Sequence, residues 1–310
     1  MTDDPFVTHR SLLFTVAYEM LGSAADAEDV VQETWLRWAD VEGAEVRDPR
    51  AYLLRIVTRQ ALNRMRTLAR RREEYVGEWL PEPLPTSPDV AEDVEFAESV
   101  SIAMLTVLET LAPAERAVFV LREVFEVPYS DIAQAVDKTP GAVRQIAHRA
   151  REHVAARRPR IQVDRAEHQQ VVDRFLAALR SGDPQVLLDV LAPEVVLIAD
   201  GGGEVAAVRR PVVGGDRVAT LLLRFKTVVP DAVFGPIWLN GAPACRIDLA
   251  GELDTAVSVM VADGRITRIY AIRNPHKLAR LDEEATLSRC TGPGRSSARW
   301  RSSARTPRRR

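Results

Sequence analysis

Residues 129–151 place polar and basic side chains in a helix–turn–helix pattern. A short apolar-periodic segment ends at a tight turn, Asp137-Lys138, and Thr139-Pro140 is typical of the N-cap and first position of a second helix. The polar face of that helix can enter the major groove of DNA, where Arg and Gln bond base edges. The alternative is a solvated helical hairpin with ordinary surface charge. The candidate DNA contacts are Lys138, Thr139, Arg144, Gln145, His148, Arg149 and Arg151.

A second basic face lies on the helix that Asp48-Pro49 predicts to begin and that continues to about Arg72. Its residues recur at spacings that bring them to one side of a helix, and no acid occurs from Ala51 to Arg72. A basic face with an aromatic side chain can hold a nucleic-acid backbone and stack an unpaired base. A solvated face is the alternative. The face consists of Tyr52, Arg55, Arg59, Asn63 and Arg66.

The helix predicted from about Ala24 to Trp38 carries an acidic outer face. Such a face repels DNA, so it indicates a basic protein partner, with a plain solubilising face as the alternative. Its outward residues are Asp26, Asp29, Glu33 and Leu36.

Two short motifs in the C-terminal half offer less defined chemistry. Three glycines between Asp200 and Glu204 lack the context of a phosphate-binding loop. His276 has no second ligand at metal spacing, so we expect no metal site and no cofactor. No set of catalytic residues can be assembled from spacing, and we expect no enzymatic activity; Asp200 is the one acid that merits a test as a base.

The elements that position these residues predict a multidomain chain. Helices occupy residues 1–72 and 99–160, joined by an acidic, proline-rich linker at 73–98, which we expect to be extended and open to solvent. Residues 161–282 read as helices followed by a curved antiparallel sheet, and residues 283–310 as an Arg-rich disordered tail. The strands are predicted at 194–199, 205–209, 244–249, 256–261 and 266–272, with a hairpin turn at Asp263-Gly264.

Composition limits the class of protein. The chain has 310 residues, net charge −2, 46% hydrophobic and 28% charged residues, which is typical of globular domains. Neither a secretory signal nor a membrane-spanning run of about 18 apolar residues is recognisable. The two cysteines, Cys245 and Cys290, are far apart, so we expect no disulfide and a cytoplasmic location.

Taken together, the chain resembles bacterial alternative sigma factors of the extracytoplasmic-function type, and within them the subgroup with a fused SnoaL-like domain. The resemblance covers about residues 5–282. It rests on the order of the segments Asp26–Trp38, Asp48–Arg66, Trp79-Leu80-Pro81-Glu82-Pro83, the helix–turn–helix, Asp200-Gly201-Gly202-Gly203 and Asn274-Pro275-His276-Lys277-Leu278.

The resemblance implies two all-α sigma domains, region 2 and region 4, followed by an α+β cone of the NTF2/SnoaL-like type. The acidic helix would dock core RNA polymerase through its β and β′ subunits. The Tyr52 face would engage the −10 element of promoter DNA, and the second helix of the helix–turn–helix the −35 element. The C-terminal domain would regulate these activities in place of a separate anti-sigma factor, with a small ligand in its pocket as a further candidate partner.

Co-occurrence of the small motifs leads to one mechanistic hypothesis: the glycine loop contacts the linker. The residues of this interdomain site are Trp79, Leu80, Pro81, Asp200, Gly201, Gly202, Gly203, Asn274, Pro275 and Lys277. Two positions depart from the pattern of the subgroup, which has Lys at position 204 and Asp at position 276. Glu204 reverses the charge at its position, His276 stands in place of the acid, and the partner of the loop is left open.

Two other functions remain candidates. A helix–turn–helix regulator with a ligand-sensing C-terminal domain explains the DNA-binding face but not the acidic helix or the second basic face. An isomerase or hydrolase in the C-terminal half has only fold analogy in its favour.

Overall fold

The computed structural model describes residues 4–41, 46–88, 94–157, 164–281, 284–285 and 287–288. The N-terminal half is helical, and the C-terminal half packs helices on one mixed sheet. In the part of the chain that the structure describes, no helix is both long and apolar enough to cross a membrane.

Three helices form the first unit, and short polar residues set where they begin. Asp4 Oδ1 accepts the Phe6 amide at 2.9 Å, and Ser23 Oγ accepts the Asp26 amide at 3.2 Å. Gly22, with φ of 65°, ends the first helix in the left-handed conformation that glycine adopts without strain. The helices are α1 (Pro5–Leu21), α2 (Ala24–Ala39) and α3 (Pro49–Glu73).

The second unit is also built from helices. They are α4 (Val94–Ser99), α5 (Ile102–Leu108), α6 (Pro113–Phe119), α7 (Tyr129–Val136) and α8 (Pro140–Arg157), with a π-helical turn, Val120–Val124, directly after α6. Asp137 ends α7 with φ of 54°, and the Thr139 hydroxyl accepts the Ala142 amide at 3.2 Å. The turn and the start of α8 therefore agree with the sequence prediction.

Residues 165–278 form the third unit, called here the C-terminal domain. Its elements are α9 (Arg165–Ser181), α10 (Pro184–Val190), β1 (Leu191–Asp200), β2 (Val212–Val213), α11 (Gly215–Val228), β3 (Val233–Leu239), β4 (Ala242–Leu249), β5 (Glu252–Ala262), β6 (Arg265–Ile272) and α12 (Pro275–Leu278). The six strands form one sheet in the order β2-β1-β6-β5-β4-β3.

The sheet differs from the prediction in three respects. It is mixed rather than antiparallel, because β1 pairs in parallel with β6 while the other pairs are antiparallel. Residues 205–209 form a loop instead of a strand, and the Arg273 side chain, not a neighbouring strand, donates to the Ala206 carbonyl. Helix α11 and strand β3 were not predicted. Pro236 argued against a strand at 233–239, because proline cannot donate a backbone hydrogen bond. Strand β3 accepts this proline because it lies at the edge of the sheet.

The buried apolar side chains form three clusters, two of which join different units. Helices of the first two units share one cluster, to which α3 contributes Leu53 and α7 contributes Ile132. Phe175 and neighbours fill the helix-covered side of the sheet. The opposite face of the sheet, with Tyr270, packs against Leu80 of the linker and Ile102 of α5. The linker is thus part of the core rather than a tether.

This packing corrects the expectation of an open linker. The chain is extended at residues 79–86, but Leu80 and Leu84 are buried. Pro85 forms a bridge with Leu239, and the Thr86 amide donates to the Trp238 carbonyl at 3.2 Å. The linker therefore adds a short pairing segment to the edge of β3, which covers backbone groups that would otherwise face solvent.

The predicted tail also begins later than residue 283. The Ala285 amide donates to the Pro85 carbonyl at 2.8 Å, and Leu287 is buried in the helical cluster. The apolar Leu287 accounts for this return of the chain, since its burial removes hydrophobic surface from water. The Arg-rich sequence from residue 289, including Cys290, lies outside the described residues.

Candidate nucleic-acid interfaces and the interdomain contact

The polar face of α8 is exposed, because Val143 and Ala147 are fully buried and fix the rotation of the helix. Arg151 is also exposed, but its guanidinium lies 3.5 Å from the Glu123 carboxylate. An exposed polar helix face beyond a tight turn has the geometry for the major groove. The predicted residues that are exposed are Lys138, Thr139, Arg144, Gln145, His148, Arg149 and Arg151.

The basic face of α3 combines an aromatic ring with cations. Arg55 lies 5.1 Å from the centre of the Tyr52 ring, and Arg59 is exposed farther along the helix. A cavity of about 320 Å³ opens beside these three side chains. Asn63 and Arg66 continue the exposed face and are hydrogen-bonded to each other at 3.1 Å. Cations and a ring beside an open cavity suit a strand of unpaired nucleotides.

This same face also contacts the second helical unit. Arg59 Nη2 donates to the Gln134 backbone carbonyl at 2.8 Å, and Arg55 Nη1 donates to Gln134 Oε1 at 3.3 Å. Between α3 and α7 lies a cleft of about 490 Å³ that Lys138 helps to line. The predicted −10 and −35 faces are therefore adjacent in this arrangement.

The acidic face of α2 is less negative than predicted. Arg64 of α3 lies 2.6 Å from Asp26 and 2.9 Å from Asp29, so two of the three predicted acids are paired. Gln60 Nε2 donates to Glu33 at 2.8 Å. The side chains that pair with these acids lie on α3, which is distant in sequence. The pattern of α2 alone therefore does not reveal the pairing.

Two large apolar side chains of α2 are also exposed. Leu36 is 54% exposed, and its neighbour Trp35 is 45% exposed. Sequence reasoning did not select Trp35. Its position outside the buried stripe of α2 could have indicated that the ring is exposed. An exposed aromatic beside an exposed leucine is typical of a protein-binding surface.

Asp200 is the centre of the contact between the C-terminal domain and the linker. Its carboxylate is fully buried and accepts four hydrogen bonds: from the Tyr75 hydroxyl at 2.5 Å, the Gly202 amide at 3.0 Å, the Leu80 amide at 2.9 Å and Lys277 Nζ at 2.7 Å. Because these donors satisfy both oxygens, the geometry does not suit the catalytic base considered from sequence.

Aromatic side chains enclose this carboxylate and its lysine. Lys277 Nζ lies 4.0 Å from the centre of the Trp79 ring. Burial, together with the Asp200 carboxylate, raises the pKa of Tyr75 above its usual value, so the hydroxyl keeps its proton and donates. Asn274 Nδ2 donates to that hydroxyl at 2.8 Å. The result is a closed network joining the end of β1, the linker and α12.

The glycines of the loop allow this close approach. Gly202 has φ of 66°, and a Cβ added there would lie 2.5 Å from Asn274 Nδ2. Gly201 is buried at the end of β1, and Gly203 faces Val76. Of the remaining predicted residues, Pro81 is buried in the linker, and Pro275 is exposed at the first position of α12.

Glu204 and His276, the two departures from the subgroup pattern, lie together. His276 Nε2 is 2.8 Å from Glu204 Oε1, and both side chains are exposed. The two departures thus contact each other, which gives the glycine loop a partner on α12.

A second junction of buried polar groups joins all three units, and sequence reasoning missed it. Asn240 Nδ2 donates to the Tyr18 hydroxyl at 2.7 Å and to the Val100 carbonyl at 2.9 Å, while its Oδ1 accepts the Leu84 amide at 3.0 Å. The Tyr18 hydroxyl donates to the Glu82 carbonyl at 2.7 Å. The dipeptide Asn240-Gly241, which is typical of a tight turn between two strands, was the sequence feature that could have drawn attention to Asn240.

Two family models match the helical half of the chain. Sigma-70 region 2 matches residues 6–71, and Sigma-70, region 4 matches residues 101–154. The basic face of α3 and the acidic face of α2 lie in the first match, and α8 lies mostly in the second.

Relatives match almost the whole chain. The ECF RNA polymerase sigma factor SigJ of Mycobacterium tuberculosis is 36% identical over 304 residues, covering 94% of this chain and 97% of the relative. The probable ECF RNA polymerase sigma factor SigI of the same organism is 33% identical over 280 residues, covering 89% and 94%.

The crystal structure of the M. tuberculosis extracytoplasmic function sigma factor SigJ matches the fold with a TM-score of 0.73 at 33% identity. The match covers 89% of this chain and 98% of that chain, so it includes the C-terminal domain. The predicted fold class, two helical sigma regions followed by an α+β domain, is confirmed.

Proposed function

The chain belongs to the extracytoplasmic-function family of RNA polymerase sigma factors, and from that premise we propose how its surfaces divide promoter-specific initiation among themselves. Sigma factors bind core RNA polymerase and promoter DNA. The matches to both region 2 and region 4 favour this function over a helix–turn–helix regulator, which would need no region 2. Because its partner is the polymerase, we place the chain in the cytoplasm.

The α8 face reads the −35 element. Arg144, Gln145 and Arg149 are the side chains suited to base edges, and Lys138 and Arg151 lie where they can contact phosphates. His148 and Thr139 flank them on the same exposed surface. The observation that supports this assignment is the exposure of the polar face opposite a fully buried stripe.

The α3 face engages the −10 element. Tyr52 offers a ring for an unpaired base beside a cavity, and Arg55, Arg59 and Arg66 offer charge for the backbone. Asn63 adds a donor and an acceptor on the same face. Stacking and backbone contacts together would favour a melted strand over a duplex.

Core polymerase docks on the outer face of α2. We assign Leu36, with Asp26, Asp29 and Glu33 on the same side of the helix, as the docking surface, and Trp35 as an exposed aromatic side chain outside that arc. Exposed apolar and aromatic side chains with polar neighbours are typical of protein interfaces.

The C-terminal domain modulates this activity by holding the linker. Asp200, Lys277 and Asn274 bind the linker on one side, Lys277 through the Leu80 carbonyl, and Asn240 binds it on the other. A linker held in this way fixes the first two units relative to the sheet, so the domain takes the role of a separate anti-sigma factor. We assign it no catalytic activity, since Asp200 is occupied by the linker contact.

Run-off transcription with core polymerase tests the promoter-reading assignment, with the DNA upstream of the chain's own gene as template. Replacing Arg149 by Ala removes a bidentate donor worth about 1–3 kcal/mol, so we expect a loss of roughly 5- to 150-fold in transcript at limiting protein. The matched control is Arg224→Ala, an exposed arginine of α11. Equal transcription by both variants, or transcripts without core, would contradict the proposal.

A further inference from the structure

An arginine-rich segment follows Ser288, and none of the surfaces assigned so far includes it. Residues 289–310 contain eight arginines, no lysine and no acid. Two copies of Arg-Ser-Ser-Ala-Arg, at residues 295–299 and 301–305, flank Trp300, the one aromatic residue of the segment. Such a repeat of cations around an aromatic residue is a composition that nucleic acids bind.

The segment starts from a fixed point on the helical units. The Ala285 amide donates to the Pro85 carbonyl at 2.8 Å, and Leu287 is buried among the helices. The Ser288 amide then donates to the Thr15 hydroxyl of α1 at 3.1 Å. Helix α1 packs against α3 in the first unit. Since the 22 residues of the segment span at most about 75 Å, its arginines stay within reach of DNA that this unit holds.

The rest of the chain carries the opposite charge. Residues 1–288 contain 34 basic and 44 acidic residues, a net charge of −10, whereas residues 289–310 carry +8. A body with a net negative charge repels a polyanion at distances beyond direct contact. Attraction of DNA over such distances therefore needs a local concentration of cations, and the segment supplies one.

The chain's own carboxylates are the competing partner for these arginines. Several exposed acids already have a cation, since Arg10 lies 2.7 Å from Glu28, and Arg64 pairs with two acids of α2. DNA phosphates, by contrast, follow one another about every 1.7 Å along a duplex and release counterions when arginine binds. Arginine also binds a phosphate through two parallel hydrogen bonds. These differences favour DNA over the chain's own surface.

We propose that residues 289–310 form a third DNA-binding element, in which the arginines hold phosphates without regard to base sequence and Trp300 stacks on an unpaired base. A duplex keeps its bases paired inside, so only a melted strand offers a base to the ring. The element raises the local concentration of DNA beside the first unit. It depends on neither promoter-reading assignment, because DNA of any sequence is its ligand.

The salt dependence of binding to random-sequence duplex DNA tests the arginines. The full-length chain is compared, by fluorescence anisotropy, with a variant that has Gln at all eight arginine positions of the segment. Each phosphate contact contributes about 0.9 to the slope of log K against log salt concentration. Four to eight contacts should therefore make the slope of the Gln variant shallower by about 3.5 to 7. A variant with Lys at the same positions should retain most of the slope.

A matched pair of triple variants separates the segment from charge in general. One has Arg→Gln at residues 308–310, and the other has Arg→Gln at Arg209, Arg210 and Arg217, which are exposed on the C-terminal domain. Both lose three positive charges. We expect the first to reduce the slope by about 2 to 3 and the second to leave it nearly unchanged.

Trp300→Ala tests the stacking contact. Stacking of one base on an aromatic ring corresponds to about 5- to 150-fold in affinity. We expect that loss for single-stranded oligothymidylate of about 20 nucleotides, with the salt slope and the affinity for duplex DNA unchanged.

Three results would overturn the proposal. An unchanged slope in the Gln variant, or equal effects of the two triple variants, would show that the segment does not bind DNA. Tighter DNA binding by the Gln variant would show that the segment pairs with the chain's own acids. Equal losses of single-stranded and duplex binding in Trp300→Ala would exclude stacking.

Failure of the promoter-reading assignments would look different. In that case Arg149→Ala would leave run-off transcription by the holoenzyme unchanged, while the salt slope on random-sequence DNA would still depend on residues 289–310.

Discussion

Removing the charge of Asp200 should detach the linker from the C-terminal domain. Asp200→Asn keeps the size of the side chain, but it leaves Lys277, whose side chain is 11% exposed, without its counter-ion. One of the four donors must then face the new amide group. The four donors belong to the linker, the glycine loop and α12. The substitution should therefore weaken the contact between the linker and the C-terminal domain.

The magnitude follows from the burial of the pair. Breaking a buried ion pair by removing one partner costs about 3–5 kcal/mol. Taking the lower value, since the amide oxygen still accepts one hydrogen bond, the equilibrium for linker opening increases by about 100-fold.

Hydrogen exchange at the Leu80 amide measures this opening. That amide donates to Asp200 Oδ2 in the parent chain, so its exchange rate reports the loss of the contact itself. We expect roughly 100-fold faster exchange at Leu80 in Asp200→Asn, with amides of the central strand β5 unchanged. Lys277→Met, which leaves the carboxylate unpaired, should accelerate exchange at the same amide.

Asp254→Asn is the matched control. Asp254 pairs with Arg273 at 2.9 Å in the same domain, with a side chain 15% exposed, and it has no described contact with the linker. It should lower the stability of the sheet without a selective effect at Leu80. Equal exchange at Leu80 in the two aspartate variants would refute the assignment of Asp200 as the linker's anchor.

Two further substitutions give separable outcomes. Trp35→Ala should weaken binding to core polymerase by about tenfold and leave thermal unfolding unchanged, because the ring is half exposed; titration of labelled core against both chains measures this, and unchanged affinity would exclude Trp35 from the interface. Burial lowers the pKa of His168 to about 4, so its contribution to stability is present above pH 6.5 and is lost as the pH falls from 6.5 to about 4. His168→Gln should therefore flatten the pH dependence of the free energy of unfolding in urea across that window, and an unchanged slope would contradict this reason.

Local chemistry predicted the helices and their exposed faces well. Thr139 and Pro140 act at the start of α8 within a few residues of themselves, so their effect is readable from sequence. The rotation of α8 follows from its apolar period, which the core then fixes. The interdomain hypothesis came from the co-occurrence of the small motifs, and in the structure the Leu80 amide donates to Asp200 Oδ2 at 2.9 Å.

What sequence reasoning missed depends on partners that are distant along the chain. Arg64 pairs with the acids of α2 from another helix, and Asn240 meets Tyr18 across 222 positions. Neither pair has a periodic signal. The parallel pairing of β1 with β6 is equally non-local, and the proline in β3 is acceptable only because that strand is at the edge of the sheet.

The two restraints on α3 differ in strength for a structural reason. Tyr75 follows the end of α3 by two residues and is bound in the buried Asp200 network, where a group left without its partner is costly. The hydrogen bonds of that network should therefore break together, so the end of α3 is either held or released. The contacts of Arg55 and Arg59 with Gln134 are exposed to water, so each is worth little. Release of the linker should therefore free the end of α3 more than loss of the Gln134 contacts does.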